Sequence, residues 1–197
     1  MATREIPLAG EPPPRRERAD AARNRAQVLA AAEALLRERD PADVTMEDVA
    51  RAAGVGRATL YRRFPDLRSI AVALLDHHER DLQQRLLDGP PPLGPGAPPA
   101  QRLAAFYRAM VDLLERCGHL LRATESGAAR FTTGAYGFWA AHVRVLLAEA
   151  GAPHPAELSD VALAPLAPEL YRHQREHLPP AAIADRLAWL AHRIAAP

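Results

Sequence analysis

"GVGRATLYRRF", residues 54–64, places Arg57, Tyr61, Arg62 and Arg63 on one short segment that holds no acidic residue. A helix packed into a core would not carry that load, and a solvated helix usually mixes acids among its cations. The segment opens on Gly54 and is followed by Pro65. Glycine suits the left-handed residue that ends a helix, and proline cannot continue one. Residues 57–64 are therefore predicted to be a short helix that follows another helix across a tight turn.

The residues before it supply that partner. Thr45 is predicted to cap a helix over 46–53, with Asp48 as a shortened capping-box acid and Val44 and Val49 at the positions of a hydrophobic staple. Two short helices joined by a glycine turn make a helix-turn-helix pattern. In such a unit the second helix enters the major groove of DNA with its N-terminal part toward the base edges. Val55 and Leu60 are expected to face a core with Leu36, Val49 and Ala50, which turns Arg57, Ala58, Tyr61 and Arg62 outward. Arginine can grip guanine O6 and N7 together, while hydroxyls suit phosphate. Arg57 and Arg62 are thus expected to read bases, and Thr45, Thr59, Tyr61 and Arg63 to hold phosphates.

The stretch "VTMEDVARAAGVGRATLYRRFPDLRSIAVALLD", residues 44–76, resembles the DNA-binding segment of the TetR family of bacterial transcriptional regulators. Thr45, "VARAAGV", "TLYRRF" and the long helix after Pro65 carry the likeness, which extends over about residues 22–76. The resemblance implies an all-α chain: a three-helix helix-turn-helix domain with a connecting fourth helix, joined to a larger helical domain that binds a small ligand and dimerises. Gly56 stands where the family often has Ser, so one phosphate-bonding hydroxyl is missing. Leu67 stands where it usually has Lys, and Arg68 is the substitute for that phosphate contact.

The chain has 197 residues, 48% of them hydrophobic, and a net charge of +1. All the basic residues other than histidine are Arg. The positive charge is local: residues 51–68 hold Arg51, Arg57, Arg62, Arg63 and Arg68 against Asp66 alone. No run reaches the roughly 18–20 apolar residues of a membrane span, and the N-terminal stretch is polar and proline-broken. A cytoplasmic protein is expected, and the lone Cys117 fits a reducing compartment.

Residues 1–19 read as a disordered arm, 20–88 as the helix-turn-helix domain with its fourth helix, 89–99 as a Pro/Gly-rich linker and 100–197 as the helical ligand-binding and dimerisation domain. Helices are predicted over 21–39, 46–53, 57–64, 67–87, 100–116, 119–126, 133–150, 156–175 and 180–195. Pro165 and Pro168 are expected to kink the helix that contains them.

Phe106, Tyr107, Met110, Tyr136, Trp139 and His142 are candidates for a ligand pocket, with Phe131 and Arg122 beside them; the same residues also read as plain core. In helix 180–195 Ile183, Leu187, Leu190 and Ile194 form one stripe, and Trp189 lies off it. An off-stripe Trp points to a second contact, so Trp189 and Tyr171 are expected at or near a homodimer interface. His173 and His177, one helical turn apart, read either as a metal pair or as a surface pair. Arg15, Arg16 and Arg18 read either as a minor-groove arm or as a solvated tail. Cys117 reads as a buried residue or a redox group. No nucleophile–base set gathers around Cys117, Ser69, Ser126 or Ser159, so neither an enzyme nor a cofactor is expected. The sequence thus points to a ligand-responsive repressor that binds a palindromic DNA operator as a homodimer and responds to a small-molecule effector. The alternatives are an activator of the same fold, or a small-molecule-binding protein or enzyme with an accessory helix-turn-helix.

Overall fold

In the computed structural model, which describes residues 15–124 and 134–195, every regular element is helical. The chain divides into two compact units after Ile70. The first holds α1 (Arg15–Glu38), α2 (Met46–Ala53), α3 (Arg57–Arg63) and the first turn of α4 (Leu67–Asp88). α1 starts at Arg15, ahead of the predicted Ala21, because "RRERAD" is made of helix-compatible residues that follow a proline. The division inside α4 also departs from the predicted boundary in the linker. The buried face of α4 from Ala71 to Leu86 groups with the second unit.

The first unit is assembled by caps and by one small core. Thr45 Oγ1 accepts the Asp48 N–H at 3.2 Å, and Asp48 Oδ2 accepts the Thr45 N–H at 3.2 Å, which completes the capping box. The Thr45 hydroxyl also donates to Asp48 Oδ2 at 2.7 Å. These Thr45 bonds, hydroxyl first, hold the Asp48 carboxyl below its ordinary value, helped by Arg51. Gly54, with φ 65°, ends α2 in the left-handed conformation, where a Cβ would be strained. Asp66 caps α4, its carboxylate accepting the Ser69 N–H at 2.7 Å. Val28, Leu29, Ala32 and Leu36 from α1 are buried, as are Val49 and Ala50 from α2 and Leu60 from α3. α1 packs on α2 and α2 on α3.

The second unit contains the rest of α4, α5 (Pro99–Thr124), α6 (Gly134–Glu149), α7 (Pro155–Leu163), α8 (Pro168–Arg175) and α9 (Pro180–Ile194). α5 runs through Gly118, where a break was predicted; a glycine inside a helix costs only about 1 kcal/mol against Ala. The predicted helix 156–175 is instead α7, a 3-10 turn at Ala164–Leu166 and α8. Pro165 and Pro168 remove backbone donors there, so the helix breaks rather than kinks.

α5 packs against α9, α6 and α8, and α6 against α7. Two hydroxyls pin these layers. Tyr107, fully buried, donates to the Ala162 carbonyl at 2.9 Å. Tyr171 donates to Glu115 Oε1 at 2.8 Å, and Arg175 Nε reaches the same oxygen at 2.8 Å. Burial pushes the Glu115 carboxyl up, but these bonds outweigh it and hold it below its ordinary value.

Two outcomes follow. Thr45→Ala removes the hydroxyl from the cap of α2 and should lower unfolding stability by about 1 kcal/mol, read as a shift of the urea midpoint, with Thr45→Ser close to wild type. His142 on α6 is held neutral by burial, with Arg102 adding to the effect, and its pKa is pushed down to about 4 from 6.5. Between those values the unfolded chain binds the proton that the folded chain refuses. The stability is complete above pH 6.5 and falls as pH drops toward 4, by up to about 3 kcal/mol. His142→Gln should reduce the difference between denaturation midpoints at pH 7 and pH 4.5; an unchanged difference would contradict this.

Candidate nucleic-acid interface

α3 has seven residues, and its orientation is set by what it buries. Leu60 and Phe64 are 1% and 3% exposed, and the Arg25 guanidinium of α1 lies over the Phe64 ring, 5.6 Å from its centroid. Val55, at the turn, is half-buried. Each helical residue turns the chain by roughly 100°, so fixing Leu60 inward fixes the others. Ala58 and Arg62 point straight away from the core. Arg57 and Tyr61 occupy the flank toward α2. Thr59 and Arg63 occupy the flank toward α1.

The three arginines of α3 therefore differ. Arg57 Nη2 donates to Glu47 Oε1 of α2, and Tyr61 Oη lies 3.5 Å from the same oxygen. Arg63 Nη1 donates to the Ala21 carbonyl of α1. Arg62 is exposed and has no hydrogen-bond or ion-pair partner among the described residues. Thr59 is half-buried and borders a concave surface with Arg62, Arg63, Asp20 and Asn24. The Thr45 hydroxyl is engaged in the cap. Gly56 is the uncapped N-cap of α3; a Cβ there would meet only Thr59 Oγ1, at 3.9 Å, so the position has room for a serine. Arg68 is exposed at the start of α4. The side chains of Arg15, Arg16 and Arg18 lie outside the described residues.

Glu47 was invisible to the sequence reading. The segment 54–64 is free of acids, but the acid that faces it stands ten positions before Arg57, on another helix. The one available signal was its place in the first turn of α2.

In the second unit the pocket candidates are mostly packed. Phe106, Tyr107, Met110 and Trp139 are buried, and Tyr136 and His142 are half-buried. The Phe106 ring stands 6.1 Å from Trp139 and 5.4 Å from His142, centroid to centroid. Tyr136 donates to Asp160 Oδ1 at 2.7 Å. His142 Nε2 and Arg102 Nε are buried with no partner. Phe131 and the side chain of Arg122 lie outside the described residues.

Tyr171 lines a shallow depression with Leu114, Glu115, Pro168 and Arg172. It is 5% exposed, and its hydroxyl is engaged by Glu115 of its own chain. Its neighbour Leu170, at 41% exposed, is the large apolar side chain that α8 exposes. On α9 the buried stripe is Ile183 and Leu187, as expected, with Ala188 and Ala191, while Leu190 and Ile194 are half-buried. Trp189 is 63% exposed, with Arg193 stacked 5.4 Å over its ring. His173 and His177 are exposed with their rings edge to face, and His173 Nδ1 is 3.7 Å from Glu176. Cys117 is buried. Among the described residues no helix is long and apolar enough to cross a membrane.

Residues 28–74 match the profile of the bacterial regulatory proteins, tetR family. An uncharacterised HTH-type transcriptional regulator of Mycobacterium tuberculosis is 39% identical over 61 residues, which are 31% of this chain and 30% of that protein. The chain thus covers about three tenths of the length of that curated relative. A TetR-family candidate regulator from Rhodococcus sp. superposes with a TM-score of 0.65 at 16% identity, over 89% of this chain and all of that one. The TetR regulator SCO0520 of Streptomyces coelicolor gives a TM-score of 0.57 at 26% identity, over 88% of this chain and 98% of that one. The sequence match lies on the helix-turn-helix, and the likeness of fold extends over both units.

The different engagement of neighbouring arginines is measurable without DNA. Arg62→Ala should leave stability within about 0.5 kcal/mol of wild type. Arg63→Ala removes a donor from the Ala21 carbonyl and should cost about 1 kcal/mol. Equal denaturation midpoints for the two variants would contradict the assignment.

Proposed function

We propose that this chain, whose residues 28–74 match the tetR family profile, is a DNA-binding transcriptional regulator of that family that represses by occupying a palindromic operator as a homodimer. A small molecule bound in the second unit lowers operator affinity by shifting the population from DNA-competent to incompetent states. The observation that carries the DNA reading is α3 itself. Its outward residues Ala58 and Arg62 belong to an acid-free helix, and Arg62 has no partner among the described residues.

Arg62 and Arg57 are the base readers in this reading. Ala58 gives an apolar contact suited to a thymine methyl. Tyr61, Thr59, Arg63 and Arg68 hold phosphates, and the backbone at Thr45 and Gly56 approaches them. Repression needs no further surface, because a dimer seated on an operator excludes other proteins from it. Arg102 Nε and His142 Nε2, buried and unpartnered beside Phe106 and Trp139, are the polar groups that would orient an effector among apolar walls. Trp189 on α9 is the exposed aromatic that supports a dimer contact. The DNA partner places the protein in the cytoplasm.

Selecting bound duplexes from a random library tests this. The expected product is an inverted repeat with half-sites about 34–36 Å apart, or a multiple of that. Arg62→Ala should weaken operator binding by roughly 1–3 kcal/mol and relax preference at one base position per half-site. Recovery of no enriched sequence, or of single sites bound by monomers, would contradict the reading.

A further inference from the structure

We propose that Glu47, a carboxylate on α2 rather than on the reading helix, determines operator specificity by holding Arg57 and Tyr61 in one arrangement. This rests on the DNA-binding reading above. Arg57 Nη2 donates to Glu47 Oε1, and Tyr61 Oη lies 3.5 Å from that same oxygen. Arg57 and Tyr61 are one helical turn apart on the same flank of α3, so a single acceptor organises both.

Three observations separate this contact from a stabilising one. The capping box of α2 is completed by Thr45 and Asp48 between them, which leaves Glu47 without a capping role. The side chains of Arg57 and Glu47 are 68% and 37% exposed, and exposed ion pairs add little to stability. The pair also lies beside the outward face of the helix that would meet the base edges.

The geometry leaves Arg57 able to read. A guanidinium carries five N–H groups, two of them on Nη2. Glu47 takes one Nη2 hydrogen, and the other, with Nη1, still forms a fork for guanine O6 and N7. A long side chain held in advance loses its rotamer freedom before binding rather than during it. The same carboxylate opposes unspecific binding. It neutralises Arg57 toward phosphate and adds a negative charge where the duplex approaches, so it weakens contacts with any DNA that does not offer the matching base. Glu47 is thus a positioning residue, acting through Arg57.

The test compares wild type, Glu47→Gln, Arg57→Ala and the double variant of the full chain. Each is passed over a random duplex library with sequencing of the bound fraction. Each is also titrated with a duplex lacking the enriched site, and checked for folding by circular dichroism. Glu47→Gln should lower base preference at one position per half-site by about tenfold and raise affinity for the unrelated duplex severalfold. In the Arg57→Ala background it should add no further loss of preference. Base preferences unchanged in Glu47→Gln, or a loss that persists undiminished without Arg57, would overturn the proposal while leaving DNA binding intact. A wild type that enriches no sequence would overturn both.

Discussion

The burial of Leu60 and Phe64 is the constraint on which the outward surface of α3, the proposed DNA-facing one, depends. Seven residues make less than two full turns, and helices that short are marginal in water on their own. α3 persists because these two side chains are 1% and 3% exposed, each contributing roughly 1.5–3 kcal/mol on burial. The Gly54 turn delivers the chain at the angle that lets them dock. Once they point inward, no freedom is left in the rotation of the helix. Ala58 and Arg62 must face away, and the two flanks must meet α1 and α2. The chemistry of the surface is a consequence of how its back is packed.

From that rotation comes a division among cations that composition does not reveal. Arg57, Arg62 and Arg63 lie within seven residues, yet one meets a carboxylate, one a backbone carbonyl and one has no partner among the described residues. Charge alone would make all three phosphate ligands. Their neighbours distinguish them: Arg63 ties α3 to the start of α1, Arg57 is tied to α2, and Arg62 keeps its full set of donors. A regulator must bind DNA in general weakly and its site tightly, and an uneven distribution of free donors serves that better than an even one.

The head was legible in the sequence because its signals are local. Thr45 and Asp48 are three residues apart, Gly54 ends its own helix and Pro65 stops the next. Each can be read without knowing what packs where. The features that escaped were tertiary. Pro165 and Pro168 mark an interruption, but a kink and a break look alike in sequence, and here a 3-10 turn separates α7 from α8. Tyr171 was expected at or near an interface, and nothing local announces Glu115, on α5, which accepts its hydroxyl. Leu190 and Ile194 fitted a helical stripe as well as Ala188 and Ala191 do, yet it is Ala188 and Ala191 that are buried beside Ile183 and Leu187. Glu47 escaped for the same reason, since nothing in its own segment announces the arginine it meets.

Cleavage protection on a duplex carrying the selected site tests the central claim most directly, because it reports where α3 sits rather than whether DNA is bound. Hydroxyl-radical cleavage should show two symmetric protected patches on one face of the duplex. Methylation of a guanine N7 within each patch should block wild type and matter less to Arg62→Ala. A single asymmetric patch, or interference at N7 that is the same with and without the Arg62 side chain, would contradict the orientation of α3 described here.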